Sequence, residues 1–121
     1  MTRSRRAAAP EPVPLKSIEL LVLAVLADGP HHGYALTQEI ERRSHQRARV
    51  RPGDLYRVLY RMMRASLIER TDPPAAARHE TRRNYYRITP VGRRIAKEEA
   101  SYLQEVCAGL LGRPLRPERS T

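Results

Sequence analysis

The chain has no tryptophan, no phenylalanine, one cysteine and only two lysines among its 23 basic residues. Without Trp or Phe, core volume has to come from Leu, Ile, Val, Met and the six Tyr. The lone Cys107 excludes an intramolecular disulfide, reads as a small buried hydrophobe, and leads to the expectation of a reducing, cytoplasmic setting. No apolar stretch follows the basic residues of "MTRSRRAAAPEPVP", so no secretory leader is expected. The run "IELLVLAVLA" is too short for a bilayer and contains Glu19. Catalytic signatures are missing too: no triad, phosphate loop or paired-carboxylate pocket can be assembled, so an enzyme is not expected. The histidines at 31, 32, 45 and 79 lack the dense spacing of a metal site, and neither metal nor cofactor is expected.

What the chain has in excess is arginine. The formal charge is +10, from 23 basic against 13 acidic residues, which favours a polyanionic partner. A GC-rich genome supplies Arg, Ala and Pro whatever the function, so the distribution carries more information than the total. Residues 42–64 hold eight Arg against one Asp, and residues 78–94 hold six Arg against one Glu. Residues 15–41 and 95–112 are net acidic, at −3 and −2. Arginine is gathered in two places.

At 121 residues one domain is expected. Residues 1–14, rich in Arg, Ala and Pro, read as a flexible basic arm. A first helix is predicted over 15–27, apolar on nearly every side and stopped by "DGP". A second is predicted over 32–45, with Tyr34, Leu36 and Ile40 inward and Glu41, Arg42 and Arg43 outward. A third opens at "RPGD", where Pro52 suits the first helical position and Asp54 meets the positive helix end; it runs to about Ala65. "LIERTD" and the alternating "RNYYRIT" then read as two strands of a hairpin around a projecting loop. In the second strand Asn84, Tyr86 and Ile88 face one way, and Arg83, Tyr85 and Arg87 the other. Thr89 and Pro90 start a last helix to about Leu111, and residues 112–121 read as a disordered tail. Three helices, a hairpin and a helix give a mainly α (α+β) chain: a winged helix-turn-helix DNA-binding domain over 15–90, followed by a C-terminal dimerisation helix over 91–111.

At about 100° per residue, Leu55, Val58, Leu59, Met62 and Met63 share one sector of the third helix. Arg57, Arg61 and Arg64 fall opposite, with Tyr60 beside them. A solvated face is the plain alternative for any such row. The Pro-Gly start, the hairpin and the second basic cluster favour double-stranded DNA, since a guanidinium forks onto guanine or clamps a phosphate. Arg57, Arg61 and Tyr60 are expected in the major groove, and Arg51 and Arg64 on phosphates. Arg78, Arg82 and Arg83 are expected to act from the wing. Along the last helix Ile95, Tyr102, Leu103, Val106 and Leu110 form a stripe that outreaches a small core, so a homodimer is expected. Leu20 and Leu23 of the first helix complete that interface. Its two recognition helices would then lie about 34 Å apart, one turn of DNA.

The segments "LKSIELLVLAVLADGPHHGYALTQEI", "PGDLYRVLYRMMRASLIER" and "RRNYYRITPVGRRIA", in that order, resemble PadR-type transcriptional regulators over roughly residues 15–108. The resemblance implies a bacterial, repressor-like dimer on a palindromic operator, the last helix packing on the partner's first. It also implies that Tyr56, in Gly-x-Leu-Tyr, and Tyr34, in His-Gly-Tyr, sit near DNA or brace the binding helices. Four positions depart from the pattern. Arg51 replaces a small capping residue and Asp54 a Ser or Thr; Arg57 replaces a common Pro and Ser66 a Gly. Some relatives sandwich aromatic effectors between tryptophans, and this chain has none; a small-molecule effector remains open, with Tyr102 and Cys107 as candidate lining. The rival readings are a non-specific nucleoid or RNA-binding protein and a module for an acidic protein partner.

Overall fold

Leu, Val and Ile fill most of the first helical segment, and no single face can solvate them. The computed structural model, which describes residues 15–77 and 83–112, places α1 at Ser17–Leu26 with Val22, Leu23, Val25 and Leu26 buried. Glu19 accepts the Lys16 backbone N–H at 2.9 Å and ties off its start. The chain then forms β1, His31–His32, before α2, Gly33–Arg43. The expected arm at 1–14, nearly all of the expected tail, and Arg78 and Arg82 lie outside the described residues.

A His32 ring nitrogen accepts the Ala35 N–H at 3.2 Å and caps α2. Leu36 and Ile40 bury its inner face, whereas Tyr34, expected inside, is 60% exposed. Tyr34 sits at the second helical position, on the far side from Leu36. Arg43, expected outside, is partly covered: it pairs with Glu39 at 3.1 Å and with Asp28 of the preceding turn. Hydrogen bonds from Arg42 and Arg43 hold the Glu39 carboxyl well below the usual carboxylate range, at about 2. The helix ends two residues earlier than expected. His45 and Gln46 both take positive φ, 55° and 65°, and the Gln46 N–H returns to the Glu41 carbonyl at 2.7 Å. These two left-handed residues turn the chain toward the next helix.

Helix α3 spans Pro52–Arg64 and buries Leu55, Val58, Leu59 and Met62 against α1 and α2. It closes with a Schellman arrangement. The Leu67 N–H reaches the Met62 carbonyl at 2.9 Å and the Ser66 N–H the Met63 carbonyl at 3.0 Å. Ser66 therefore occupies the left-handed region, at φ 64°, where a side chain is strained. Ser66→Gly is expected to stabilise the fold by about 1 kcal/mol, read as a higher urea midpoint at unchanged slope.

Strand β2, Ile68–Thr71, pairs antiparallel with β3, Tyr85–Ile88. The expected hairpin is in fact two-thirds of a sheet. Strand β1 lies on the other side of β3, with His31 opposite Tyr86 and His32 opposite Tyr85, in the order β1-β3-β2. This third strand corrects the expected alternation. Tyr86 and Tyr85, which alternation sets on opposite faces, are both buried. The His32 ring meets Tyr85 edge-on at 5.2 Å between centroids, so this face is covered at Tyr85 while Arg83 and Arg87 on it stay exposed.

Helix α4 runs Pro90–Cys107 and ends in a 3-10 turn, Ala108–Leu111, so the helix expected to reach Leu111 tightens over its last four residues. Thr89 caps it, accepting the Gly92 N–H at 2.9 Å and donating to the Ser66 carbonyl at 2.6 Å. The start of α4 is thereby fastened to the end of α3. No helix among the described residues is long and apolar enough to cross a membrane.

Candidate nucleic-acid interface

The outer face of α3 is fixed by what its inner face buries. With Leu55, Val58, Leu59 and Met62 in the core, Arg57, Tyr60, Arg61 and Arg64 have to point out, and all four are exposed. Arg51 and the first helical turn, Pro52 to Asp54, are exposed too. The helix therefore offers its N-terminal end as well as its side.

The basic row is not three free cations. Arg57 pairs with Asp54, one turn earlier on the same face. Arg61 leans back toward Glu19 of α1, 3.6 Å away. Arg64 stays near its own helix, donating to the Tyr60 hydroxyl at 3.3 Å and lying 5.7 Å from that ring's centroid. Two of the three expected contacts thus carry a carboxylate partner, which reduces their pull on phosphate. The Arg57–Asp54 pair, at i and i+3, was visible in the sequence as a spacing. The Arg61–Glu19 pair spans 42 residues and had no local signal.

Tyr56 and Tyr34 stand together at the helix-turn-helix junction. Tyr56 is 49% exposed, and its phenol lies over Gly33 so closely that a Cβ there would sit 2.6 Å from the hydroxyl oxygen. Gly33 thus lets α3 rest its Tyr56 against the first turn of α2. Tyr34 accepts a hydrogen bond from Gln38 at 3.4 Å. With Tyr60, 57% exposed, α2 and α3 present three exposed tyrosines, and their hydroxyls can donate to phosphate oxygens.

The wing supplies one described cation of the expected three. Arg83 is exposed at the start of the returning strand, its guanidinium 3.1 and 3.2 Å from the two ring nitrogens of His32. A histidine read only as a helix start thus joins the cap of α2 to the wing.

The expected dimer residues divide. Leu23 is fully buried in the core of its own chain, at the floor of the groove between α1 and α4. Ile95 is half-buried and packs on the same core. Tyr102, Leu103, Val106 and Leu110 are exposed, and Leu111 joins them. Leu20 lies on the rim of an apolar groove of about 740 Å³ between α1 and α4, which Leu15, Ala96, Ala100 and Leu103 also line. Neither Tyr102 nor Cys107 lines this groove. The cavity is nearer the start of α4 than the sequence suggested.

Residues 22–98 match the Transcriptional regulator PadR-like family. Transcriptional regulator Rv3488 of Mycobacterium tuberculosis is 34% identical over 96 residues, which cover 79% of this chain and 84% of that protein. A 37.1 kDa protein of transposon TN4556 from Streptomyces fradiae is 37% identical over 82 residues, but those span only 21% of its length. Among solved structures, a PadR-like transcriptional regulator from Bacillus cereus superposes with a TM-score of 0.65 at 23% identity, covering 78% of this chain and 87% of that one. A transcriptional regulator from Clostridium thermocellum also gives 0.65 at 23%, covering 78% and 86%. The winged helix, the outward arginine row and the match across most of the domain converge: the chain belongs to the PadR-like family of DNA-binding transcriptional regulators.

Proposed function

We propose that the chain represses transcription as a homodimer, each α3 entering the major groove of one half of a palindromic operator. The observation that carries this is the division of α3 into a buried apolar face and an open face bearing Arg57, Tyr60, Arg61 and Arg64. Arg57 and Tyr60 read or clamp the groove and Arg61 supports them from the α1 side. Arg51, Arg64, Tyr34 and Tyr56 meet the backbone, with Arg83 acting from the wing and Arg78 and Arg82 proposed alongside it. A gel shift with DNA upstream of the chain's own gene against a scrambled duplex tests the reading. Promoter binding at least about 10³-fold tighter is expected. Equal affinity for both duplexes would leave a non-specific nucleic-acid binder.

The dimer is supported by the exposed Tyr102, Val106, Leu110 and Leu111 on α4 and its 3-10 extension, beside a groove rimmed by Leu20 of α1. Apolar side chains this densely placed at one end of a molecule mark an interaction surface. Light scattering at micromolar concentration should report a dimer, and Val106→Asp with Leu110→Asp a monomer that still melts cooperatively. The monomer should bind the operator at least about tenfold more weakly, since the second half-site no longer binds at high effective concentration. A monomeric wild type contradicts the arrangement. Release by a small molecule is proposed to act through the α1–α4 groove, because its walls come from the two helices the dimer joins.

A further inference from the structure

Asp54 is an odd residue for a surface meant to meet phosphates. It lies in the first turn of α3 with its side chain 51% exposed, and neighbouring Gly53 has nothing within 4 Å of where a Cβ would be. The Arg51 side chain makes no cap at this helix start, and the Asp54 carboxylate pairs with Arg57, itself 74% exposed. Acid and base are therefore presented together, on the exposed first turns of α3.

We propose that Asp54 and Arg57 form a two-residue reading head for neighbouring guanine and cytosine, with Asp54 the residue that sets specificity. The inference rests on the reading of α3 as the groove-entering helix. Arg57 has five N–H donors; with one turned to Asp54, the rest of the fork still reaches guanine O6 and N7. Asp54, holding that fork in plane, keeps lone pairs for the N4 amino group of cytosine. Thymine presents an oxygen there instead, so at that position the carboxylate would be desolvated against an acceptor. The same charge repels phosphate and weakens attachment to duplexes that offer no donor. Asp54 thus trades affinity for discrimination.

The test uses the full-length protein and a duplex selected from random sequence by the wild type. Each cytosine of the bound site is replaced in turn by 2-pyrimidinone, which lacks the N4 amino group, and binding is measured with wild type, Asp54→Ala and Asp54→Asn. The wild type should lose roughly tenfold or more at one cytosine per half-site, the range of a single base contact. Asp54→Ala should show no loss at that position and should bind random duplex more tightly than wild type. Asp54→Asn, selected afresh, should prefer adenine there, the base an amide pairs with. Wild-type affinity unchanged by every 2-pyrimidinone substitution overturns the proposal without relying on any variant. An unchanged base profile in Asp54→Asn overturns it as well. Failure of the wild type to select any site would instead refute the operator reading above, so the two failures are distinguishable.

Discussion

Gly92→Ala is expected to cost roughly 3 kcal/mol or more of stability, enough to unfold much of a marginal domain at 37 °C. A Cβ at this position would lie 2.1 Å from the Leu67 carbonyl oxygen and 3.2 Å from the Ile88 side chain. The first of these is backbone, so no rotamer change relieves it. The Leu67 carbonyl already accepts the Thr89 N–H at 3.1 Å, and moving it would loosen the link between the end of α3 and the start of α4. A methyl group at Gly92 therefore pushes α4 away from the end of α3. Gly109→Ala is the control, because a Cβ there meets nothing within 4 Å. Urea melts should separate the two variants widely. A Gly92→Ala midpoint matching that of Gly109→Ala would show that the contact with Leu67 does not constrain α4.

Operator affinity should fall by roughly 10³-fold or more between 50 and 200 mM salt, if about six to ten phosphates are neutralised per dimer. The cations available are those on and around α3 and at the wing, and most are exposed. Arg57→Ala with Arg61→Ala should abolish specific binding at 200 mM salt and flatten the salt slope. The size of that flattening is informative. Arg57 and Arg61 are each paired with a carboxylate, so each displaces fewer counterions than a free arginine. The slope should drop by about 2 per dimer, below the roughly 4 × 0.9 expected of unpaired cations. The loss of affinity should nonetheless be large, because Asp54 and Glu19 are left uncompensated where DNA approaches. Specific affinity that hardly responds to salt, or a double variant that binds like wild type, contradicts the placement of α3 in the groove.

The two variants probe different parts of the sequence-to-function chain. Gly92 governs whether the helices are held together; Arg57 and Arg61 govern what the assembled surface attracts. Ser66→Gly acts on a third property, backbone strain at the end of α3, and should leave binding unchanged while raising stability.

Much of the fold was legible in the sequence because it is written in local periodicity. Leu55, Val58, Leu59 and Met62 recur at helical spacing, so the inner and outer faces of α3 follow from the order of residues alone. Pro52 and Thr89–Pro90 mark helix starts by the covalent geometry of proline and the reach of a short hydroxyl. These signals act over a few residues, and the winged-helix class and the outward arginine row rest on them. The interaction of Asp54 with Arg57 was equally local, but the sequence alone leaves open whether Asp54 supports the helix end or meets its basic neighbour.

Tertiary structure decided what depends on distant residues meeting. His31 and His32 become a strand only because β3 supplies the partner; two residues have no period to read. That pairing puts His32 beside Tyr85, so both tyrosines of the strand are buried although alternation sets them on opposite faces. Arg61 meets Glu19, and His32 meets Arg83, across 42 and 51 residues. Leu23 was expected at a partner's surface because an all-apolar helix does not declare which side faces its own core; packing within the chain buries it. Composition and short-range order thus determined the elements and their polarity. Only the folded chain, where burial and charge pairing are shared between segments far apart in sequence, determined which arginines remain free to act.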